Sequence, residues 1–262
     1  MSPMSEVAAI AAIGAATRDL KLPSVRTEAE ALAADAAKAQ VGHLPFLAEV
    51  LAREVDDRTE RRRQRRISEA RFPRLKRLED FDVDAAGEGV SPVTLAALSG
   101  LGFLAEAYPV VLLGDSGTGK SHLLIGTGVA AAQAGLRVRY VTCAQLVNEL
   151  AEAADDKALA RTVARYGRID LLCLDELGYV ALDARGAELL FQVITEREER
   201  SSIVVASNAP FSEWGQVFTD PRLAAAVVDR LTFNAMIIET GSDSYRLRAS
   251  RKGKQKGGAR QA

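Results

Sequence analysis

The sequence is poor in the side chains that build metal centres and disulfide frameworks. Only two histidines occur, His43 and His122, which argues against a histidine-built metal site. The two cysteines, Cys143 and Cys173, are too few for a disulfide framework and fit a reducing compartment. No run of about 18 apolar residues is present, and no cationic region precedes the Ala-rich N-terminus. We therefore expect a cytoplasmic protein with neither a membrane span nor a secretory signal.

The net charge of −1 conceals two basic segments. Five arginines fall within six residues: Arg61, Arg62, Arg63, Arg65 and Arg66. On a helix they would point around most of the circumference, so that some could follow a phosphate backbone with little dependence on base sequence. A solvated linker helix, or a helix docked on an acidic neighbouring subunit, is the alternative. For residues 249–262 the sequence predicts a basic, disordered tail.

The first part of the chain has the pattern of a small helical domain. Thr27 and Glu30 have the spacing of a capping box before an Ala-rich helix. Gly42 interrupts the pattern, apolar residues then return at helical spacing, and Pro73 is expected to end the helix. We predict a helical domain with a basic end over residues 1–80.

Beyond residue 108 the pattern changes to short apolar runs that alternate with amphipathic helices. The predicted strands are residues 110–113, 138–141, 169–174 and 203–206. The predicted helices are residues 120–134, 143–154, 184–199 and 221–231. Apolar strands that alternate with helices are typical of a parallel sheet covered on both faces. The sequence therefore predicts an α/β domain over residues 81–248.

A glycine-rich segment joins the first predicted strand to the helix after it. Residues 114–121 read Gly-Asp-Ser-Gly-Thr-Gly-Lys-Ser, which matches the pattern G-x-x-x-x-G-K-[ST] in its strand–loop–helix context. In this pattern backbone N–H groups and the helix N-terminus bind phosphates, the lysine reaches the β- and γ-phosphates, and the hydroxyl ligates Mg²⁺. The predicted ATP-binding residues are Gly114, Asp115, Ser116, Gly117, Thr118, Gly119, Lys120 and Ser121.

A pair of carboxylates follows the third predicted strand. Because the carboxyl ends of parallel strands share one edge of the sheet, Asp175 and Glu176 are expected beside the phosphate loop. We predict that Asp175 holds Mg²⁺ together with Ser121, and that Glu176 polarises the attacking water. Two surface carboxylates after a core strand would be the alternative reading.

Polar and basic residues farther along the chain are further candidates for the phosphate site. Asn208, at the end of the fourth predicted strand, could orient a water near the γ-phosphate or simply occupy a turn, and the residues alone leave both open. Phosphoryl-transfer sites often take an arginine from a neighbouring subunit, but no spacing rule identifies it, and a surface arginine on a helix is the alternative. The candidates are Arg222, Arg230 and Arg246.

Motifs along nearly the whole chain resemble those of the IstB-like proteins, ATP-binding helpers of insertion-sequence transposition within the AAA+ class. They occupy residues 20–23, 61–66, 70–73, 78–82, 114–121, 174–179, 207–214, 227–231 and 244–246. The Asp-Glu-Leu-Gly-Tyr run at 175–179 and the segment from Ser207 to Trp214 are the most specific of them. The resemblance implies an AAA+ P-loop core, with a parallel sheet flanked by helices, preceded by a small helical domain.

The resemblance also implies roles for individual residues. Asn208 matches the sensor 1 position, and Arg230 matches an arginine finger that acts in trans, with Arg222 in reserve. Arg246 matches the sensor 2 arginine, which contacts the γ-phosphate from the lid side.

The function that the resemblance implies is regulation of DNA transposition. Such a protein forms a homo-oligomer with ATP on duplex DNA, with little sequence preference, and recruits or activates a partner transposase. ATP hydrolysis acts as a switch. The alternatives are a replicative helicase loader of the DnaC type and, from another class, a P-loop kinase that phosphorylates a small molecule.

Overall fold

The computed structural model describes residues 4–83 and 89–241 of the 262-residue chain. The chain divides into two compact units, one up to Arg65 and the other from Arg66 onward. The division falls earlier than the predicted boundary at residue 80. The reason is that Phe72 and Leu78 pack into the hydrophobic core of the second unit.

Helices form the first unit. They are α1 (Glu6–Asp19), α2 (Pro23–Lys38) and α3 (His43–Ala70), and the division between the units lies within α3. The expectation that Thr27 caps a helix was wrong, because α2 already begins with Pro23 at its first position. Inside the helix, the Thr27 hydroxyl donates to the carbonyl oxygen of Pro23 over 2.9 Å.

A buried carboxylate holds the start of α2. Glu54, on α3, is 3% exposed and accepts hydrogen bonds from the backbone N–H groups of Ser24 (2.8 Å) and Val25 (3.2 Å). Its other oxygen accepts from the side chains of Arg58 (3.3 Å) and Arg61 (3.5 Å). Burial raises the pKa of Glu54, but the backbone hydrogen bonds and the charge of Arg58 outweigh burial and lower that pKa overall. The ionised carboxylate therefore stabilises this helix pair.

A parallel sheet forms the centre of the second unit. Within the described residues its strands are β1 (Val110–Leu113), β2 (Val138–Thr142), β3 (Leu171–Leu177), β4 (Ser202–Ser207) and β5 (Met236–Glu239). Their order across the sheet is β2-β3-β4-β1-β5. The predicted parallel sheet is confirmed, but β5 was missed. It is an edge strand in which only Ile238 is buried, so it has no continuous apolar run.

Helices cover both faces of this sheet. They are α4 (Pro92–Gly100), α5 (Lys120–Gln133), α6 (Cys143–Asp155), α7 (Leu159–Gly167), α8 (Ala184–Arg197), α9 (Trp214–Val217) and α10 (Pro221–Thr232). Short 3-10 helices in the described part of the chain include Leu78–Asp80, Gly102–Leu104 and Phe211–Glu213. Val110 and Leu112 point into a core with α4 and α5, whereas Val111 and Leu113 point into a second core with the later helices. The four predicted helices are confirmed as α5, α6, α8 and α10.

This topology gathers polar residues at one edge. The carboxyl ends of β1, β3 and β4 are neighbours, because β4 lies between β1 and β3. Each of these ends leads into a segment that carries candidate site residues, so the site is assembled from parts of the chain that are far apart in sequence.

Candidate functional site

A phosphate-binding loop connects β1 to α5. Gly114, Gly117 and Gly119 have φ values of 146°, 89° and 102°, which glycine adopts more readily than any residue with a side chain. A Cβ atom at Gly119 would lie 2.7 Å from the ring of Phe81, so this position has no room for a larger residue. The backbone therefore needs glycine here for both conformation and space.

Lys120 begins α5 and is only 6% exposed. Its Nζ donates to the carbonyl oxygens of Gly114 (2.6 Å) and Asp115 (2.7 Å), which closes the loop around the ammonium group. A positive charge thus lies beside backbone amides at a helix N-terminus, an arrangement that attracts the phosphates of a nucleotide.

Asp175, on β3, lies next to the start of α5. Its Oδ1 accepts from the hydroxyl of Ser121 over 3.2 Å and from the backbone N–H of Glu176 over 2.9 Å. Its Oδ2 accepts from the hydroxyl of Tyr140, on β2, over 3.0 Å. Hydroxyl and carboxylate oxygens are the ligands that Mg²⁺ prefers, so Ser121 and Asp175 fit the predicted metal by their chemistry.

Tyr140 was not among the site residues that the sequence predicted. No spacing rule relates it to Asp175, because their contact depends on the pairing of β2 with β3. Burial first, and then the negative charge of Asp175, raise the pKa of Tyr140 above its usual value. The hydroxyl therefore stays protonated and remains a hydrogen-bond donor.

The loop and the carboxylates line one cleft with a volume of about 540 Å³, a size typical of small-molecule sites. Glu176 is exposed at this cleft and has a φ of 63°, and Asn208 lines the cleft from the end of β4. One wall of the cleft comes from the segment before α4 and was not predicted from the sequence. Its lining residues are Arg74, Lys76, Asp80, Phe81 and Asp82.

His122 forms part of the same wall. Its Nε2 donates to the carbonyl oxygen of Arg77 over 2.8 Å, and its ring meets the edge of Phe81 at a centroid distance of 5.3 Å. Burial lowers the pKa of His122. These contacts pack the His122 ring against Phe81 and the segment before α4.

The candidate arginines do not line the cleft among the described residues. Arg230, on α10, lies with Nε 2.9 Å from Oε2 of Glu198, and its guanidinium stacks 4.7 Å from the ring centroid of Phe191. Arg222 is exposed near the start of the same helix. Arg246 and the predicted tail of residues 249–262 lie outside the described residues. A role for Arg230 in a neighbouring subunit's site stays a prediction.

The predicted DNA-binding arginines lie near the end of α3. Arg61 donates to the hydroxyl of Ser24 over 2.9 Å, and Arg63 pairs with Glu60 over 3.7 Å. Arg66 belongs to the second unit, where it donates to the carbonyl oxygen of Gly135. Arg62 and Arg65, the other two arginines of the predicted set, have exposed side chains.

No cluster of three or more His, Cys, Asp or Glu side chains could hold a metal ion in the described part of the chain. None of the helices in residues 4–83 and 89–241 is long and apolar enough to cross a membrane.

A parallel sheet with a phosphate loop after β1 and an acidic pair on β3 defines a P-loop nucleotide-binding protein with the AAA+ fold. The chain belongs to the family of IstB-like ATP-binding proteins, whose sequence profile matches residues 15–253. An insertion-sequence ATP-binding protein of Sinorhizobium fredii is 36% identical over 245 residues, which are 94% of this chain and 82% of the relative. The corresponding protein of insertion sequence IS21 from Pseudomonas aeruginosa is 35% identical, over 89% of this chain and 88% of the relative.

Solved structures of other proteins are similar to this chain in fold. AMPPCP-bound DnaA from Aquifex aeolicus aligns with a TM-score of 0.55 and 23% identity, over 71% of this chain and 55% of that one. DnaI aligns with a TM-score of 0.52 and 20% identity, over 63% of this chain and 90% of that one. At these identities the likeness shows the fold alone.

Proposed function

We propose that this protein is an ATPase that assembles with ATP and Mg²⁺ on duplex DNA and recruits or activates the transposase of an insertion sequence. The observation that carries the ATPase part is the hydrogen bond between Ser121 and Asp175 beside the buried ammonium of Lys120. It brings together, at one edge of the sheet, the groups that phosphoryl transfer from ATP requires.

Each group at the cleft has a separate task in hydrolysis. The loop amides and Lys120 bind the phosphates, and Ser121 and Asp175 would hold Mg²⁺. When bound there, Mg²⁺ would supply positive charge beside the phosphates. Glu176, exposed at the cleft, takes a proton from the attacking water, and Asn208 orients that water.

A neighbouring subunit completes this site in the proposed mechanism. Arg230, or Arg222 in reserve, stabilises the charge that develops on the γ-phosphate, and Arg246 contacts the same phosphate from the subunit's own chain. Hydrolysis of ATP would then require the assembled oligomer, and hydrolysis could in turn end the assembled state. ATP acts as a switch in this sense.

Contact with DNA is assigned to the arginines of α3. Arg62, Arg63 and Arg65 are exposed, and side chains of this kind bind phosphates without reading base edges. Arg61 and Arg66 complete the predicted set, and they donate to Ser24 and to Gly135 respectively. Family members named for their insertion sequences support a role in transposition.

The test is the mass of the particle that forms with a non-hydrolysable ATP analogue on duplex DNA and, in parallel, on single-stranded DNA. A large, ATP-dependent assembly on duplex DNA that salt weakens is the expected result. Assembly on single strands only, or none until a replicative helicase is added, would indicate a helicase loader. Transfer of phosphate to a metabolite, in place of free phosphate release, would indicate a kinase.

A further inference from the structure

Tyr140 and Ser121 donate hydrogen bonds to different oxygens of the Asp175 carboxylate. The Tyr140 hydroxyl donates to Oδ2 over 3.0 Å, whereas the Ser121 hydroxyl and the Glu176 N–H donate to Oδ1. Asp175 is only 5% exposed, so water contributes little to fixing its orientation. The rotation of this carboxylate is therefore set by its protein donors.

The ring of Tyr140 is itself fixed by its surroundings. Tyr140 is half-buried on β2, opposite Cys173 of β3, and its ring centroid lies 6.2 Å from that of Phe72. Tyr140 is not among the residues that line the nucleotide cleft. Its hydroxyl reaches the site through its hydrogen bond to Asp175, which does line the cleft.

We propose that Tyr140 is a positioning residue that orients Asp175 for Mg²⁺ and thereby sets how much the metal strengthens nucleotide binding. The proposal rests on the proposed function, because it takes Ser121 and Asp175 as the groups that hold the metal. Hydrogen-bond partners of metal-binding carboxylates commonly change metal affinity by about ten-fold to a hundred-fold when they are removed. Tyr140 is placed to be such a partner.

The test compares full-length wild-type protein with the variant Tyr140→Phe by calorimetric titration of a non-hydrolysable ATP analogue, once with Mg²⁺ and once with EDTA. Phenylalanine keeps the ring and its packing against Phe72. In EDTA, we expect Tyr140→Phe to bind the analogue with an affinity within about two-fold of wild type. The factor by which Mg²⁺ increases affinity for the analogue should be about ten-fold smaller in Tyr140→Phe than in wild type. A thermal melt of each protein verifies that it is folded.

The matched control is Tyr166→Phe. The hydroxyl of Tyr166 also donates to a carboxylate, that of Glu149, over 2.6 Å, but this pair lies away from the cleft. We expect Tyr166→Phe to change thermal stability while the strengthening by Mg²⁺ stays at the wild-type value. In an Asp175→Asn background, Tyr140→Phe should have no further effect on the metal dependence.

An unchanged strengthening by Mg²⁺ in Tyr140→Phe would overturn the proposal. An equal loss of affinity with and without the metal would also overturn it, because that pattern indicates a general structural role. If the wild-type protein itself showed no metal-dependent nucleotide binding, the proposed function would fail first. The two failures are therefore distinguishable in one series of titrations.

Discussion

Arg230 and Glu198 form an ion pair in which Nε lies 2.9 Å from Oε2. The guanidinium also stacks on Phe191, and the side chain is only 25% exposed. These contacts join α10 to α8 and fix the direction of the arginine. To act as an arginine finger, Arg230 must either reach the phosphate in a neighbouring subunit with N–H groups that do not contact Glu198, or break its ion pair with Glu198 and bind that phosphate instead.

We expect Arg230→Ala to lower the ATPase rate of the DNA-bound assembly by about a thousand-fold, because an arginine finger contributes about that much or more. Mixing Arg230→Ala subunits with Glu176→Gln subunits should restore part of the hydrolysis, since each variant supplies the group that the other lacks. Phosphate release from the mixture is the measurement. Arg222→Ala is the control and should stay near the wild-type rate. No recovery in the mixture, or a large loss in Arg222→Ala, would contradict the assignment to Arg230.

Substitution of the loop lysine should abolish nucleotide binding. Lys120→Ala removes the ammonium group that donates to the carbonyl oxygens of Gly114 and Asp115, and we expect affinity for ATP to fall by more than about a hundred-fold. Calorimetric titration with an ATP analogue measures this directly. Lys38→Ala, at an exposed lysine paired with Asp35, should bind as wild type does. If Lys120→Ala bound the analogue with an affinity within a few-fold of wild type, Lys120 would not be the main phosphate-binding group of the site.

Glu176→Gln should separate binding from turnover. Glutamine has the same shape but cannot take a proton from water, so we expect normal affinity for the ATP analogue and a rate lower by at least about a hundred-fold. Single-turnover phosphate release is the suitable measurement. Glu213→Gln, at an exposed glutamate outside the lining of the cleft, serves as the control. Normal hydrolysis in Glu176→Gln would assign the general base to another residue.

The stability of the first unit should depend on the charge of Glu54. Its pKa is lower in the folded state than the ordinary 4.5, so its stabilising effect is complete above that value and disappears as pH falls through the folded pKa. We expect Glu54→Gln to cost about 1–2 kcal/mol at neutral pH and to lose its effect in acid. Hydrogen exchange of the Ser24 and Val25 amides reports the local stability. Glu28→Gln, which breaks the exposed pair with Arg53, should change little, and equal effects of the two substitutions would contradict the role of Glu54.

Binding to duplex DNA should depend on the exposed arginines of α3. Each phosphate contact removed lowers the slope of log K against log salt by about 0.9, so Arg62→Ala and Arg63→Ala together should lower it by about 2. Titrations at several salt concentrations measure the slope. Arg53→Ala, at an arginine paired with Glu28, is the control. A slope that the double substitution does not change would show that DNA binds elsewhere.

Local patterns were sufficient to predict the core of the second unit. Buried strands such as β1 and β3 are continuous apolar runs, and the loop of residues 114–121 is a contiguous motif between a strand and a helix. Edge strand β5 and the start of α2 were not predicted correctly. The first has only one buried residue, and the second begins at a proline that outweighs the capping pattern four residues later.

The sequence by itself determined the phosphate loop, the acidic pair and the buried strands of the sheet, because each is a run of residues that are adjacent in the chain. Only the tertiary structure decided which donors hold Asp175, which carboxylate caps α2 and what Arg230 contacts. The hydrogen bond from Tyr140 to Asp175 joins residues 35 positions apart, and that from Ser24 to Glu54 joins residues 30 positions apart. Such contacts follow from strand order and helix packing, which no local pattern of side chains specifies.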